Sequence, residues 1–409
     1  MDITILKSTI NKGQSSIAIT GSKSESNRLL LLKALYPDIT IENLSNSDDS
    51  VLMQKALESK DEIIDIHHAG TAMRFLTAYF SIQEHREVIL TGSSRMKERP
   101  IQILVDALRQ LGAEINYLEN DGFPPLKIRG HKLSKSKVTL KANVSSQYIS
   151  ALLLIASKLD NGLELTLDGK ITSVPYIKMT LSLLDENGIK TEFKSNKIIV
   201  NPKTLNAESN TLVVESDWSS ASYFYSVVAL SEVGTKITLL SYKKDSLQGD
   251  SVLAKIYQEF GVETRFEKNT ITLHKSIIVN RQSSIHLDLS NAPDIAQTIA
   301  VTAFGLGLEC YLTGLHTLKI KETDRLVALK TELEKFGAEV TITDATLSLR
   351  SSNGIKSNVS VATYNDHRMA MAFTPLGLKT ILHIENADVV SKSYPQFWED
   401  FKSIGFNLK

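Results

Sequence analysis

One pattern recurs six times along this 409-residue chain, and it limits the possible folds more than any other feature. Each copy has a polar or glycine-containing turn, an apolar helix, a strand, a second helix and a further strand. The six turns lie near Ser22, Ala69, Ser145, Asp217, Ala292 and Tyr364. From the second turn onward the spacing is about 75 residues. Six such units divide as three plus three, which predicts two similar α/β domains, because units of this type bury helices against sheets.

Five of the six copies end their second helix with a glycine. These glycines are Gly112, Gly188, Gly261, Gly337 and Gly405. Glycine at this place is the left-handed C-terminal cap of a helix, and a new strand follows it. In the first copy the helix predicted over 51–58 runs into charged residues with no glycine, so we expect this copy to be shortened.

The first helix of each copy leads into a β-rich segment. The predicted strands cover 39–41, 87–90, 163–167, 236–240, 309–312 and 380–384. The first turn, 20–28, is expected to leave a strand over 16–20 and to open a helix over 29–35. Lys23 and Arg28 add charge to the positive end of that helix, which favours anion binding. Taken alone, this turn is equally typical of a serine-capped helix with solvated bases.

Composition excludes several classes of protein. Lysine plus arginine and aspartate plus glutamate both total 46, so no net field recruits nucleic acid or an anionic membrane. The apolar runs are shorter than a membrane span, and the N-terminus lacks a signal-peptide layout. Cys310 lies in a predicted strand and is expected to be a buried hydrophobe, and a lone cysteine suits a reducing compartment. We therefore predict a cytoplasmic protein that binds neither nucleic acid nor membrane.

Cations collect near the starts of the repeated helices. They are Lys23, Arg28, Arg74, Arg95, Lys321, Arg325, Arg368 and Lys392. We expect these turns to meet in one cleft between the two halves, and such clustering in a neutral protein predicts a substrate with more than one anionic group. Ordinary helix-surface pairing explains 321–325 taken alone, and a capped helix start explains 366–368. Their joint occurrence at equivalent repeat positions favours a site.

Other site types find less support. His67 and His68 are adjacent, and adjacent residues on a strand face opposite sides, so no metal site is predicted there. Neither a G-x-G-x-x-G turn after a strand nor a G-x-x-x-x-G-K-[ST] loop occurs, which argues against the ordinary nucleotide-binding folds.

Seven motifs in their order resemble one known family. They are GSKSESNR (21–28), AGTAMR (69–74), RMKERP (95–100), SSQ (145–147), PD (293–294), KETDR (321–325) and DHRMAM (366–371). The chain resembles the 5-enolpyruvylshikimate-3-phosphate synthases, also called 3-phosphoshikimate 1-carboxyvinyltransferases, over nearly its full length. The resemblance implies two inside-out α/β domains, each of three repeated βαβαββ-type units, joined by a hinge. It places 20–215 in one domain and 1–19 with 216–409 in the other, and we expect a monomer.

The resemblance also implies a reaction. The enolpyruvyl group of phosphoenolpyruvate is transferred to the 5-hydroxyl of shikimate 3-phosphate through a tetrahedral intermediate, with loss of phosphate and no metal or organic cofactor. The implied shikimate 3-phosphate contacts are Lys23, Ser24, Arg28, Ser145, Ser146, Gln147, Ser173, Tyr176, Asp294, Thr317 and Lys321. The implied phosphoenolpyruvate contacts are Lys23, Gly70, Arg95, Gln147, Arg325, Arg368 and Lys392. The implied catalytic residues are Asp294, Glu322, Lys23 and His367. Asp294 resembles the base, and either Lys23 or Glu322 delivers the proton to C3.

Two positions depart from the family pattern, and two other functions stay open. His68 and Thr317 stand where the family often has asparagine, while Gly70 resembles the glyphosate-sensitive pattern. One alternative is a UDP-N-acetylglucosamine enolpyruvyl transferase, a family that uses a cysteine on a mobile loop, whereas Cys310 lies in a predicted strand. The other is a non-catalytic anion-binding scaffold.

Overall fold

The computed structural model describes residues 1–10, 15–141, 145–169, 171, 174–203, 211–277, 283–352 and 354–409. The chain divides into two compact units. The continuous unit is Gly21–Val214, and the discontinuous unit joins Met1–Thr20 to Glu215–Lys409. The domain boundaries expected from the sequence, 20–215 and 1–19 with 216–409, and the hinge between the domains stay predictions.

Helices and strands alternate along the chain. The α-helices are α1 (Lys23–Leu35), α2 (Asp48–Glu58), α3 (Gly70–Ser81), α4 (Ser94–Lys97), α5 (Gln102–Leu111), α6 (Ser146–Ala156), α7 (Val174–Glu186), α8 (Trp218–Leu230), α9 (Leu253–Ile256), α10 (Ala296–Gly305), α11 (Arg325–Lys335), α12 (His367–Phe373) and α13 (Phe397–Ser403). The strands are β1 (Ile3–Ile5), β2 (Ser15–Ile17), β3 (Thr40–Glu42), β4 (Ile63–Asp65), β5 (Glu87–Thr91), β6 (Glu114–Tyr117), β7 (Leu126–Arg129), β8 (Lys137–Lys141), β9 (Leu163–Asp168), β10 (Thr191–Lys194), β11 (Lys197–Val200), β12 (Thr211–Val213), β13 (Lys236–Leu240), β14 (Val262–Glu267), β15 (Thr270–Lys275), β16 (Ser284–Asp288), β17 (Glu309–Thr313), β18 (Val340–Ile342), β19 (Leu347–Leu349), β20 (Val359–Val361) and β21 (Leu382–Ile384).

The continuous unit contains three sheets, one for each repeat. Two of them have four strands in the orders β4-β5-β7-β6 and β8-β9-β11-β10, with a parallel pair first and antiparallel pairing after it. Within the described ranges, the sheet of the first repeat consists of the parallel pair β3 and β12, in which Thr40 lies opposite Thr211. The first repeat is therefore the shortened copy that the missing glycine predicted.

The discontinuous unit repeats the same plan and draws strands from both ends of its sequence. Its four-stranded sheets have the orders β2-β13-β15-β14 and β16-β17-β19-β18. The third sheet, β20-β21-β1, places Ile3 opposite Ile384, and Ile5 also bridges to Leu408. Both β1 and β2 thus pair with strands more than 200 residues away, which the periodicity of the sequence alone could not show.

In each unit the helices form the interior and the sheets cover them. Every residue of α3 is buried, and every residue of α8 except Ser219 is buried, since these helices are apolar or small on all faces. The strands instead alternate between buried and exposed residues, as in β8. Each unit has its own hydrophobic core. The predicted fold class, two inside-out α/β halves of three repeats, is confirmed.

The five predicted glycine caps all adopt a positive φ, between 74° at Gly188 and Gly261 and 116° at Gly405. In each case the residue after the glycine donates its backbone N–H to the carbonyl five residues back, as Ala113 does to Leu108 at 3.0 Å. This 6→1 bond defines a Schellman cap, which satisfies a free carbonyl at the helix end. The glycine that recurs in the sequence therefore marks the end of a helix in the structure.

The start of α1 differs from the prediction. The helix begins at Lys23 and not at residue 29, so most of the predicted anion-binding turn forms its first two helical turns. Serine, glutamate and arginine tolerate helical geometry, and burial on all sides here outweighs their turn preference. The preceding strand is also shorter than predicted and ends at Ile17.

Cys310 lies in β17 and is 1% exposed, as predicted. Burial raises the pKa of its thiol to about 12, so the thiol stays protonated at neutral pH. Within the described ranges, no helix combines the length and apolar character needed to cross a membrane.

Candidate active site

Arg325 is the first residue of α11, and its guanidinium contacts three carboxylates. Its Nε donates to Asp366 Oδ2 at 2.6 Å. Its Nη1 donates to Asp294 Oδ1 at 2.8 Å, and its Nη2 donates to Glu322 Oε2 at 2.7 Å. The side chain is only 2% exposed. A substrate carboxylate would have to reach a nearly buried guanidinium most of whose N–H groups already bind protein carboxylates.

Asp294 lies in the short 3-10 turn Pro293–Ile295 before α10, and three cations surround it. Lys321 Nζ is 3.2 Å from its carboxylate, Arg325 Nη1 is 2.8 Å away and Arg368 Nη2 is 3.6 Å away. Burial alone would raise the pKa of Asp294, but the three cations outweigh burial and hold that pKa well below its usual range. The carboxylate is therefore ionised in this state.

Arg368 and His367 begin α12, which Asp366 caps by accepting the backbone N–H of Arg368 at 2.9 Å. Arg368 donates from Nη1 to the Asp294 carbonyl at 3.1 Å and from Nη2 to Ser219 Oγ at 3.2 Å. His367 is 2% exposed, and its Nδ1 lies 4.0 Å from Asp366 Oδ1. A catalytic role for so deeply buried an imidazole stays a prediction.

Thr317 and Lys392 complete the predicted residues of the discontinuous unit. Thr317 lies in the 3-10 helix His316–Ile320, and its buried hydroxyl has no hydrogen-bond partner in the described part of the chain. Lys392 departs from the expected pattern because it ends the 3-10 helix Ala387–Lys392 and does not begin a helix. Its Nζ donates to the Asn365 carbonyl at 2.6 Å.

In the continuous unit, Arg28 joins three helices. Its Nε donates to Thr180 Oγ1 on α7 at 2.8 Å, its Nη2 to Ser150 Oγ on α6 at 2.9 Å, and its Nη1 to the Ser24 carbonyl at 2.6 Å. Burial lowers the pKa of this arginine to about 10. Arg28 was predicted as a shikimate 3-phosphate contact, and here its guanidinium is buried among internal partners.

The start of α3 brings glycine and two arginines together. Arg74 Nη1 donates to the Gly70 carbonyl at 2.8 Å, and a Cβ built on Gly70 would lie 2.5 Å from Arg99 Nη1. Arg74 Nε is buried without a hydrogen-bond partner among the described residues. Burial, and then the nearby charge of Arg99, lower the pKa of Arg74 to about 10. This arrangement concentrates positive charge at a helix N-terminus, which favours an anion.

The other predicted residues of this unit lie at neighbouring helix starts. Gln147 Nε2 donates to Thr71 Oγ1 at 3.1 Å and so links the start of α6 to the start of α3. Ser145 caps α6 by accepting from the Gln147 backbone N–H, and Ser146 is buried. Arg95 on α4 is exposed and pairs with Glu98 at 2.7 Å.

Lys23 and Ser24 are the first two residues of α1, and both are half-buried. Tyr176 lies in the first turn of α7, where its carbonyl accepts from Thr180 Oγ1 at 2.9 Å. Ser173, another predicted shikimate 3-phosphate contact, lies outside the described residues.

The structure thus brings some of the predicted residues together in two groups, which also contain Arg99 and Asp366. The acid–base cluster, in the discontinuous unit, comprises Asp294, Lys321, Glu322, Arg325, Asp366 and Arg368. The helix-start cluster, in the continuous unit, comprises Gly70, Arg74, Arg99 and Gln147. The expectation that both clusters serve one reaction stays a prediction.

Sequence reasoning missed some of these residues. Arg99 is the second arginine of the 95–100 motif, so its signal was present, yet only Arg95 was assigned. Asp366 was interpreted as a helix cap, and it binds Arg325 as well. Ser219 follows the predicted turn at Asp217, where a serine is typical of helix capping, and no sequence pattern indicates its contact with Arg368.

The two adjacent histidines do not lie on a strand as expected. Strand β4 ends at Asp65, and His67 has a φ of 48°, so the chain turns and the imidazoles of His67 and His68 approach with their Nδ1 atoms 2.6 Å apart. Among the described residues, no group of three or more histidine, cysteine, aspartate or glutamate side chains could hold a metal ion.

The fold matches solved enolpyruvyl transferases. An EPSP synthase from Acinetobacter baumannii superposes with a TM-score of 0.80 at 21% identity and covers 100% of this chain and 99% of its own. The enolpyruvyl transferase NikO from Streptomyces tendae superposes with a TM-score of 0.73 at 12% identity and covers 100% of this chain and 98% of its own. At these identities the similarity establishes the fold, which is that of the enolpyruvyl transferase class.

Sequence similarity then gives the family. The family model of EPSP synthase (3-phosphoshikimate 1-carboxyvinyltransferase) matches residues 54–401. A 3-phosphoshikimate 1-carboxyvinyltransferase from Bacteroides fragilis is 46% identical over 97% of this chain and 96% of its own. The protein of that name from Haemophilus influenzae is 36% identical over 97% of each chain. This chain belongs to the EPSP synthase family.

Proposed function

We propose that this chain transfers the enolpyruvyl group of phosphoenolpyruvate to the 5-hydroxyl of shikimate 3-phosphate, a step of the shikimate pathway to the aromatic amino acids. The products are 5-enolpyruvylshikimate 3-phosphate and phosphate. Family membership supports this proposal, and the observation that carries it is Asp294 held among Lys321, Arg325 and Arg368. A carboxylate beside several cations suits a reaction in which a hydroxyl loses a proton near two anionic substrates.

The proposed reaction has two steps. In the addition, the 5-hydroxyl oxygen bonds to C2 of phosphoenolpyruvate, its proton passes to Asp294, and C3 gains a proton from Lys23 or Glu322. In the elimination, C3 loses a proton and the bond from C2 to the phosphate oxygen breaks, which releases phosphate. Asp294 also favours the cationic character that develops at C2, because an ionised carboxylate stabilises nearby positive charge.

The low pKa of Asp294 makes it a weak base before substrates bind, since three cations stabilise its charge. Arg325 and Arg368 are proposed to bind the carboxylate and phosphate of phosphoenolpyruvate, and Lys321 a hydroxyl of shikimate 3-phosphate. Each cation drawn toward substrate stabilises the Asp294 carboxylate less, so substrate binding raises the pKa of Asp294 toward a useful value. The cluster would then be activated by the anions it binds.

Phosphate release tests the proposal directly. The chain should release phosphate when phosphoenolpyruvate and shikimate 3-phosphate are both present, with one enolpyruvyl product formed per phosphate. Neither substrate alone should support release, and UDP-N-acetylglucosamine should not replace shikimate 3-phosphate. No release from the pair would leave the scaffold alternative, and release with UDP-N-acetylglucosamine would favour the other transferase.

The structure offers no support for the second transferase. That alternative relies on a reactive cysteine, and Cys310 is buried in β17 with a thiol pKa raised to about 12. Such a thiol has almost no thiolate at neutral pH and so would be a poor nucleophile or acid.

The proposal also covers cofactor need, assembly, location and inhibition. Protein cations supply the charge stabilisation, so turnover should survive EDTA, and light scattering should find a monomer. Fractionation should place the protein in the cytoplasm. Glyphosate should inhibit it, because Gly70 matches the glyphosate-sensitive pattern and, lacking a Cβ, lets the Arg99 and Arg74 guanidinium groups lie close to the backbone where an anionic inhibitor could bind. Unchanged activity at millimolar glyphosate would contradict this last point.

A further inference from the structure

Among the described residues, the guanidinium of Arg368 hydrogen-bonds one side chain outside the acid–base cluster, that of Ser219. The Arg368 Nη2 atom lies 3.2 Å from Ser219 Oγ. The same hydroxyl makes a short hydrogen bond to Asp250 Oδ2. A serine hydroxyl has a single hydrogen, and the Asp250 carboxylate can only accept when ionised. Ser219 must therefore donate to Asp250, which turns an oxygen lone pair toward Arg368.

Asp250 is held in place by the loop that carries it. Gln248 lies two residues before Asp250. Its side chain accepts from the Trp218 backbone N–H at 3.0 Å and donates to the Ser216 carbonyl at 2.9 Å. These bonds attach the loop on both sides of the start of α8. The Asp250 carboxylate thus has a fixed position relative to Ser219, the second residue of that helix.

This arrangement is costly for folding. Asp250 is 3% exposed, and its Oδ1 atom has no hydrogen-bond partner within the described ranges. A buried carboxylate with one unsatisfied oxygen destabilises a protein, and an asparagine would fill nearly the same space without a charge. Burial accordingly raises the pKa of Asp250 to about 6. A residue kept at such a cost is expected to contribute to function.

We propose that Asp250 is a positioning residue for the transfer reaction: it orients the Ser219 hydroxyl, which in turn fixes the Arg368 guanidinium for phosphoenolpyruvate. This inference rests on the proposed function. Asp294 also contacts Arg368: its carbonyl accepts from Nη1 at 3.1 Å, and its carboxylate lies 3.6 Å from Nη2, the nitrogen that Ser219 contacts. When substrate anions attract the cations that surround Asp294, the hydrogen bond to Ser219 keeps the Arg368 guanidinium from rotating.

The expected effect falls on one substrate only. Ser219→Ala removes the acceptor for Arg368, and Asp250→Ala leaves the hydroxyl free to rotate. Each variant should raise the KM for phosphoenolpyruvate roughly tenfold, the effect of one hydrogen bond to a charged group, while the KM for shikimate 3-phosphate stays within about twofold. Because both changes act through the same bond, the double variant should be no worse than either single variant.

Three further variants separate positioning from a structural role. Asp250→Asn keeps an oxygen that accepts from Ser219, so it should restore a KM near that of the unchanged protein, and Ser219→Thr should do the same because it keeps the hydroxyl. Ser246→Ala is the control, since the Ser246 hydroxyl donates to Glu215 at 2.6 Å and, among the described residues, does not contact Arg368. Loop loosening alone would instead lower the melting temperature and change both KM values together.

Steady-state kinetics and thermal unfolding of the whole chain decide the matter. Additive effects in the double variant, equal changes in both KM values, or no change in the KM for phosphoenolpyruvate would overturn the inference. If Asp250→Ala fails to fold, the comparison of Ser219→Ala with Ser219→Thr still decides it. Absence of phosphate release from the unchanged protein would instead overturn the proposed function, and an unaffected KM in Arg368→Ala would overturn the role given to Arg368.

Discussion

Asp294 and Arg325 are each surrounded by side chains of opposite charge, and both are proposed to act on substrate. Arg325 binds three carboxylates, and Asp294 contacts three cations. Buried ion pairs of this kind gain little for stability, because the loss of hydration offsets most of the attraction. Their value lies in holding charges at fixed positions before substrates arrive, which lowers the reorganisation that the reaction requires.

Replacing Asp294 by asparagine tests its role as the base. Asp294→Asn keeps the size of the side chain and removes its ability to take a proton, so kcat should fall about 100-fold to 10,000-fold. The KM for shikimate 3-phosphate should change much less, because the amide oxygen still accepts hydrogen bonds. Steady-state phosphate release measures both constants.

The matched control for that variant is Asp344→Asn. Asp344 also pairs with a lysine, Lys319, but its side chain is 93% exposed, so its loss should leave turnover unchanged. A near-normal kcat in Asp294→Asn, or an equal loss in the control, would count against the assigned base.

Asp250 predicts a pH dependence of stability. Its pKa rises from 3.8 to about 6 on folding because burial disfavours the charged form. A raised pKa stabilises the folded state fully below pH 3.8, and this stabilisation is lost as the pH rises through about 6. Neighbouring Asp217 and Asp294 raise this pKa further, while Arg368 lowers it. Near neutral pH the buried charge therefore costs up to about 3 kcal/mol.

Asp250→Asn should remove that cost. The free energy of unfolding of the variant minus that of the unchanged protein should be larger at pH 7.5 than at pH 5 by about 1.4 kcal/mol, because the rest of the loss occurs between pH 3.8 and pH 5. Urea unfolding at the two pH values measures it, and the comparison cancels any cost of the new amide that does not vary with pH. A difference that is equal at both values, or larger at pH 5, would show that Asp250 is not buried in its charged form.

Individual site residues were predictable where they begin a repeated helix. Arg325 and Arg368 follow capping aspartates at positions that recur along the chain, and Asp294 lies in the corresponding turn. Asp250 and Ser219 were not predictable, because their significance arises from a hydrogen bond between residues 31 positions apart. A polar residue in a loop has no periodicity that distinguishes it from a solvated one.

At the scale of elements, the glycine caps are the most reliable feature of the sequence. A helix end that needs a positive φ favours glycine strongly, so local chemistry alone determines the stop. The start of α1 was less predictable, because nothing local distinguishes polar residues of a first helical turn from those of a loop. The burial of α1 in the folded unit determines where this helix begins, and the sequence pattern does not reveal that burial.

Gly112→Ala measures the contribution of one cap. Gly112 has a φ of 106°, and a Cβ there would meet no atom within 4 Å, so the effect is purely conformational. An alanine in this region of φ costs roughly 1 to 2 kcal/mol, and the free energy of unfolding should fall by about that amount. Chemical denaturation followed by circular dichroism provides the measurement.

Gly354→Ala is the control, because an added methyl group has as much free space at Gly354 as at Gly112. A Cβ at Gly354 also meets no atom within 4 Å, but Gly354 lacks a positive φ. This variant should be neutral or slightly more stable, because alanine restricts the unfolded chain. Equal losses in the two variants would mean that φ at Gly112 does not limit stability.

At the scale of the whole molecule, each unit has its own core, but one unit is continuous in sequence and the other is discontinuous. The continuous unit is one uninterrupted stretch, whereas the discontinuous unit needs β1 and β2 from the beginning of the chain. The six repeats made the α/β class predictable. The placement of β1 and β2 was not, because three-residue strands have too few positions for a pattern to specify their partners.

Removal of residues 1–19 should therefore damage one unit and spare the other. Without β1 and β2, two of the three sheets in the discontinuous unit lose an edge strand, while every sheet of the continuous unit stays complete. Calorimetry should show that the truncated chain retains one transition, at the temperature of the isolated stretch 21–214. Loss of all cooperative unfolding in the truncated chain, or in the isolated stretch, would contradict this independence.

The pairing of β1 with β21 has a consequence for the order of events on the ribosome. Ile3 is translated about 380 residues before its partner Ile384, which corresponds to roughly 20 to 80 seconds at ordinary rates of synthesis. Residues 21–214 have every partner they need long before that time. The nascent chain is thus expected to carry one folded globule while β1 stays unpaired until β21 emerges from the exit tunnel.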